Sequence, residues 1–302
     1  LRLRVSKSDR GATYLTVLKD LPATMQAAVR PTHGFHAIES VQPTMVLYLQ
    51  PQWANFADYL AAMSAKYRKR ARSARKKGAK LERVELTVDE LARDAESLQT
   101  LLDAVIARAD FKLTVASLTT LLTLKRQLGE AFTVVSYRLN GRTVGFAASQ
   151  LHAGTLEALV VGLDYTLNRD HALYQNILYD FAERGIASRC HSVHLGRTAL
   201  EIKSTIGAVP ETSHSYLKHS SSLINRAIGR SLVGAKPPAW TQRPPFKSLR
   251  PLVARTLGHS DTASRELCHP RGRDSFKYVL PLINRALFRA SEATLDPRGR
   301  NP

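Results

Sequence analysis

Leu156-Glu-Ala-Leu-Val-Val-Gly162 and His194-Leu-Gly-Arg-Thr-Ala-Leu-Glu-Ile-Lys-Ser-Thr-Ile-Gly-Ala-Val-Pro210 bracket the stretch that decides the fold of this chain. The first run is apolar and rich in Val and Leu, which predicts a buried strand. Asn168 is placed to cap a helix over roughly residues 171–184, with Gly185 ending it. Leu173, Ile177, Leu178 and Phe181 fall on one face at helical spacing. A second strand, near residues 191–195, runs into Gly196-Arg197. Strand, helix and strand together predict a βαβ-like unit, and open α/β sheets bind ligands beyond the carboxyl ends of their strands. The loops after both strands, residues 164–170 and 196–203, carry polar and basic residues, so a site is expected there.

At 302 residues the chain holds one large domain or two modest ones, and 44% hydrophobic content argues against wholesale disorder. Its formal net charge of +19 points to an anionic partner: nucleic acid, a phosphorylated substrate or an anionic membrane surface. Cys190 and Cys268 lie far apart in unlike contexts, which gives no disulfide framework and fits a reducing compartment. No apolar run approaches the length of a membrane span and no signal peptide opens the chain, so a cytoplasmic location is expected, with peripheral association at the inner membrane face as a variant. The first residue is Leu rather than Met, which leaves truncation open.

Beta-like runs at residues 13–18, 34–41 and 45–49 are punctuated by Pro43 and Pro51. From Asn55 the period becomes helical, through Tyr59, Leu60, Met63, Tyr67, Ala71 and Ala74, with Gly78 as the stop. The end of this helix is densely basic, from Lys66 to Lys80. Cations suit a helix C-terminus, but like charges this close repel one another unless an anion sits among them. Thr87-Val-Asp-Glu90 is a capping box that opens a helix to about residue 108, and another helix is expected over residues 115–128. Asn140-Gly141 joins residues 132–139 and 142–151 as a type I′ hairpin. Ala153-Gly154 then leads into the first strand above, completing a three-stranded meander. A strand at 212–218 and a helix near 221–232 follow. Beyond Gly234 lie nine of the fourteen prolines, and Lys and Arg outnumber acids thirteen to five, which reads as a basic, partly disordered tail with one helical pattern at 276–290. No internal repeat stands out.

The order of these motifs is informative. Tyr67-Arg-Lys-Arg-Ala-Arg-Ser-Ala-Arg-Lys-Lys-Gly78 precedes two helices, then Gly141-Arg-Thr-Val-Gly-Phe146, Gly162-Leu-Asp-Tyr165, Gly196-Arg197 and Lys203-Ser-Thr-Ile-Gly207. This resembles the GNAT superfamily over roughly residues 34–220, in its FemAB-like branch of peptidoglycan-bridge aminoacyl transferases and related acyltransferases. The resemblance implies transfer of an activated acyl group, from acyl-CoA or aminoacyl-tRNA as co-substrate, to an amine, with no metal. It implies a catalytic lysine at Lys203, beside the acyl group and a phosphate, and a tyrosine general acid at Tyr174. Glu201 is a candidate to take a proton from the attacking amine. Gly196 and Arg197, with Arg169, Asp164 and Tyr165, are candidates to meet the acyl donor, and Arg68, Arg72 and Arg75 to hold its phosphates. Acetyl-CoA enzymes of the superfamily carry a glycine-rich loop whose backbone N–H groups cradle the pyrophosphate; Tyr165-Thr-Leu-Asn-Arg-Asp-His171 here contains no glycine.

The expected fold is therefore α/β (α+β), a GNAT-like mixed sheet flanked by helices. Residues 1–33 are read as an N-terminal segment left from a preceding half, 34–232 as the acyltransferase domain and 233–302 as the tail. The expected partner is an anionic ligand: CoA, tRNA or a nucleotide-linked substrate. A non-catalytic module that binds RNA or an anionic membrane is the competing expectation. Cys190 and His194 share a strand face while His191 points away, and no second cysteine pair exists, so no zinc site is predicted.

Overall fold

The computed structural model describes residues 15–21, 34–39, 43–108, 117–231 and 240–246. In chain order the strands are β1 (Leu15–Leu21), β2 (His36–Glu39), β3 (Thr44–Tyr48), β4 (Glu82–Glu85), β5 (Phe132–Leu139), β6 (Arg142–His152), β7 (Thr155–Leu163), β8 (Ser192–His194), β9 (Val209–Glu211) and β10 (His214–His219). The helices are α1 (Phe56–Ala62), α2 (Ala65–Lys77), α3 (Val88–Arg93), α4 (Ala95–Ala107), α5 (Leu118–Leu128), α6 (Tyr165–His171), α7 (Leu173–Ala187), α8 (Leu200–Ser204) and α9 (Ser222–Ser231). The helical pattern at 276–290 lies outside the described residues.

The chain divides into two compact units, one of which holds Thr44–Glu211. The division falls inside the span 34–232 expected as one domain, because β2 and β10 pair with each other and with β1 in a sheet of their own, ordered β1-β10-β2. In that smaller unit Asn225 of α9 accepts the His219 backbone N–H at 2.9 Å and donates to the Gly34 carbonyl at 2.8 Å.

The larger unit is built on a seven-stranded mixed sheet ordered β4-β5-β6-β7-β8-β3-β9. Strands β4 to β7 form an antiparallel meander. Asn140 and Gly141 turn the first hairpin with φ of 51° and 77°, and Ala153 and Gly154 the second with 47° and 75°, the positive pair a type I′ turn demands. Strand alternation deals side chains to two cores. Phe132, Val134, Phe146 and Ala148 pack with Leu91, Leu98, Leu102 and Leu121 on one face. Tyr137, Val144, Ala147 and Leu163 pack with Tyr59, Ala71, Ala74, Ile177 and Phe181 on the other. Helices α3 to α5 therefore cover one side, and α1, α2 and α7 the other. Phe146 is fully buried, so Phe146→Ala is expected to cost about 3–5 kcal/mol, read as a lower denaturation midpoint at unchanged slope.

One sheet feature positions the site. β7 pairs with β8 in parallel at only three positions, Thr155 to Glu157. The β6–β7 register shifts immediately afterwards, at Ala148/Ser149, where Val160 and Ala158 become successive partners and Leu159 is the extra residue. From residue 158 onward β7 continues without β8 beside it, so its carboxyl end and the loop after β8 diverge. Open parallel strands of this kind leave room for ligands at their carboxyl ends.

The helix expected over 171–184 is longer and broken. The chain enters α6 directly from β7, breaks at Ala172 in the left-handed region (φ 48°) and continues as α7 to Ala187. Gly185 does not end this helix. It lies inside it, where Val193 and Leu49 approach so closely that a Cβ would collide with them. Strands β4 and β9 were not expected. The first is a short edge strand of mostly exposed residues, Glu-Arg-Val-Glu, so its sequence carries no apolar signal. Among the described residues, no helix is long and apolar enough to cross a membrane.

Candidate functional site

Helix α2 carries its cations on two sides, and the fold gives each side a separate task. Ala71 and Ala74 are buried and turn the helix toward α7. Arg75 ion-pairs with Asp180 and, at 2.7 Å, with Glu183, and its guanidinium lies 4.7 Å over the Phe56 ring. Arg83 joins the same network at Asp180 (2.8 Å). Arg68 donates to the Ala61 carbonyl at the end of α1 (3.1 Å). These contacts neutralise part of the repulsion within the helix and dock it.

The remaining stripe, Lys66, Lys69, Arg70, Ser73 and Lys77, lines a cavity of about 470 Å³. These residues recur at spacings of three and four, one helical face. Asn168 and Arg169 of α6, Tyr174 and Gln175 of α7 and Ile202 of α8 line the other walls. Five cations and no carboxylate line the cavity. The loop after β7 and the segment after β8 thus meet at one concavity, on the side where the two strands diverge.

A buried asparagine holds the two walls together. Asn176, with no exposed surface, donates to the carbonyls of Ala74 (2.8 Å), His171 (3.1 Å) and Ala172 (3.1 Å), and accepts from Arg83 (3.2 Å). Gly78 follows α2 with φ of −86°, so its role is not a left-handed turn. Any Cβ there would strike the Asn176 amide, and only glycine lets the end of α2 lie against the start of α7. Nothing in the sequence marks Asn176, because its importance comes from contacts across a hundred residues.

The helix starts at this end are already satisfied by their own side chains. Asp164 caps α6, accepting from the Thr166 N–H (3.0 Å) and hydroxyl, and pairs with Arg142 at 2.6 Å. The Thr166 hydroxyl, then its N–H and Arg142, hold the Asp164 carboxyl below its ordinary range against a smaller desolvation effect. Asn168 accepts the Tyr174 N–H at 2.9 Å, relieving an orphan donor of α7. At each of these helix starts one backbone N–H is thus taken by a side chain, and the positive charge at the cavity is that of side-chain ammonium and guanidinium groups.

The expected site residues separate on this frame. Tyr174 and Arg169 line the cavity; Lys77 also donates to the Arg169 carbonyl at 3.3 Å. Burial raises the Tyr174 hydroxyl well above its usual pKa, which keeps it protonated as a hydrogen-bond donor while making it a weaker acid than a free phenol. Lys203 of α8 is 3% exposed and is not among the cavity-lining residues, although its neighbour Ile202 is; desolvation lowers its pKa to about 8. Gly196 adopts φ of 72° and its carbonyl accepts the Met45 N–H at 3.0 Å, joining the loop to β3. Arg197 follows it in the loop before α8 and is not among the cavity residues.

Others are placed differently from expectation. Arg75 and Arg68 make the docking contacts above and Arg72 is exposed outside the cavity, whose cations from α2 are Lys66, Lys69, Arg70 and Lys77. Asp164 acts as a helix cap. Tyr165 lies under the Arg108 guanidinium, 3.7 Å from the ring centroid, and packs on the core. Glu201 ion-pairs with Arg243 at 2.7 Å, which draws its carboxylate toward residues 240–246. That segment, within the tail expected to be partly disordered, belongs to the larger unit: Phe246 lies 5.4 Å from Trp53 and 5.9 Å from Tyr59 between ring centroids, and the Pro245 carbonyl accepts the Ser64 N–H. His194 pairs with Glu157 at 2.9 Å and His191 meets the Thr155 hydroxyl at 3.1 Å, so both have protein partners.

Comparison with known proteins agrees with this architecture. Residues 65–204 match the family described as acetyltransferase (GNAT) domain. Among solved structures, FemX is similar with a TM-score of 0.50 at 10% identity, covering 72% of this chain and 74% of that one. The C-terminal domain of a putative lysylphosphatidylglycerol synthetase from Agrobacterium fabrum gives 0.47 at 12% identity, covering 71% and 70%. No curated protein matches the sequence. At such identities the FemX likeness speaks to fold alone, and it agrees with the match to residues 65–204. Residues 65–204 thus match a GNAT acetyltransferase domain, on a fold similar to that of FemX.

Proposed function

We propose that this protein is an N-acyltransferase whose donor, an acyl-CoA or an aminoacyl-tRNA, places its phosphates in the cavity between α2 and the α6–α7 corner. The observation that carries the reading is the carboxylate-free lining of Lys66, Lys69, Arg70, Lys77 and Arg169 around Tyr174. The acceptor amine attacks the acyl carbonyl carbon directly, forming the C–N bond, and the C–S or C–O bond to the donor breaks. Tyr174 gives its proton to the leaving thiolate or ribose oxygen. Solvent takes the proton that the amine loses, since Glu201 is engaged by Arg243. Lys203 is assigned to the developing oxyanion or the adjacent phosphate, where a desolvated ammonium acts more strongly than an exposed one.

Thermal shift with acetyl-CoA, long-chain acyl-CoA, CoA, and charged and uncharged tRNA tests this. One donor class is expected to raise the melting temperature by mass action, and Lys69→Glu/Arg70→Glu to remove that shift. Equal shifts with every polyanion, unchanged in the variant, would transfer the cavity to a non-catalytic binding role.

A further inference from the structure

Helix α9 of the smaller unit has two unlike faces. One is committed: Asn225 bonds to Gly34 and His219, and Gly229 admits the His36 ring, which a Cβ there would strike. The other face carries Leu223, 75% exposed, and Ile224, 48% exposed, with Arg226 and Ala227 also exposed. A lone exposed aliphatic side chain is ordinary. Two in succession on an amphipathic helix, bordered by arginine, have the composition of a helix that lies in a membrane interface.

A second observation comes from the sequence. Leu223-Ile-Asn-Arg-Ala-Ile-Gly-Arg230 recurs as Leu282-Ile-Asn-Arg-Ala-Leu-Phe-Arg289, a short internal repeat. The second copy lies outside the described residues and counts here only as sequence. The outward residues Leu223, Ile224, Arg226 and Ala227 have identical counterparts, whereas Gly229, which packing against His36 requires, is replaced by Phe288. The outward residues repeat, together with Asn225 of the committed face (as Asn284), while the glycine that packing against His36 requires does not.

We propose that the outward face of α9 docks on an anionic lipid bilayer, with Leu223 and Ile224 entering the boundary between headgroups and acyl chains and Arg226 meeting lipid phosphates. The net charge of +19 complements such a surface. Nucleic acid would engage the arginine but gain nothing from the aliphatic pair, since single strands are held by aromatic stacking and phosphate contacts. None of these residues lines the donor cavity, and the test does not depend on acyl transfer.

The test is sedimentation of the full chain with vesicles of phosphatidylcholine alone, and of phosphatidylcholine with phosphatidylglycerol. Wild type is expected to bind only the vesicles containing phosphatidylglycerol. Leu223→Ser/Ile224→Ser should weaken that partitioning about tenfold or more, because both side chains lose apolar burial. Arg226→Glu should weaken it at low salt, with the deficit narrowing as salt rises. Both substitutions are at exposed positions, and unchanged melting temperatures are expected to show that the fold is intact. Absence of wild-type binding, equal binding by Leu223→Ser/Ile224→Ser, or an effect of that variant confined to self-association in gel filtration would overturn the proposal.

Discussion

Lys203→Met is expected to raise the melting temperature at pH 7 while lowering acyl transfer by about 10²–10³-fold. The two effects share one cause. Lys203 is 3% exposed, and desolvation lowers its pKa from 10.5 to about 8. Below pH 8 it is protonated in both folded and unfolded chains, so the full cost of burying the ammonium weighs on the fold. Between pH 8 and 10.5 the folded chain has released the proton and the unfolded chain still holds it, so stability rises with pH. A pKa displacement of this size corresponds to roughly 3 kcal/mol. Methionine has a similar shape and no charge, so it removes that cost. Its stability curve should lose the rise between pH 8 and 10.5. The catalytic loss follows from removing the charge proposed to act on the developing oxyanion. If the variant were no more stable than wild type and transferred acyl groups normally, Lys203 would be an ordinary helix residue.

The second large effect is expected in the cavity. Lys69 and Arg70 are exposed on the lining face of α2, where Arg70 lies 5.9 Å from the Tyr67 ring centroid, and reversing both is expected to leave the fold in place, checked by an unchanged melting temperature. Each reversal changes the local charge by two in a partly solvated site, and together they should weaken donor binding by about a hundredfold at low salt. The deficit should shrink as ionic strength rises, because exposed charges are screened. Arg72→Glu, equally exposed but outside the cavity, serves as the control and is expected to change affinity by less than about twofold. Isothermal titration at several salt concentrations checks all three. Arg75 is unsuitable for this purpose, since its guanidinium is held by Asp180 and Glu183 and its loss would disturb the docking of α2.

The contrast between Lys69 and Arg75 also shows how far the sequence could be read. The meander was legible because Asn140-Gly141 and Ala153-Gly154 supply the positive φ values that tight turns need, and because Leu156–Gly162 is an apolar run rich in Val and Leu. The meeting of the two loops was legible from strand order. The density of charge on α2 was equally plain, but cations occur on two helical faces there, and only the packing of Ala71 and Ala74 decides which face looks into the cavity. Arg68, Arg72 and Arg75 belong to the other face. The bonding of Asn176 and the close approach at Gly78 are tertiary facts with no local signal, as is the pairing that makes a strand of Glu82–Glu85.

Single-turnover acyl transfer to a panel of amines, followed by mass spectrometry with each donor class in turn, tests the central claim most directly. The account predicts that wild type forms an amide from one donor class. It predicts no amide with Lys203→Met on the same timescale, and amide formation with Lys69→Glu/Arg70→Glu only at greatly raised donor concentration. Tight, salt-sensitive donor binding with no amide formed from any donor would contradict it and leave a GNAT domain that binds without catalysing.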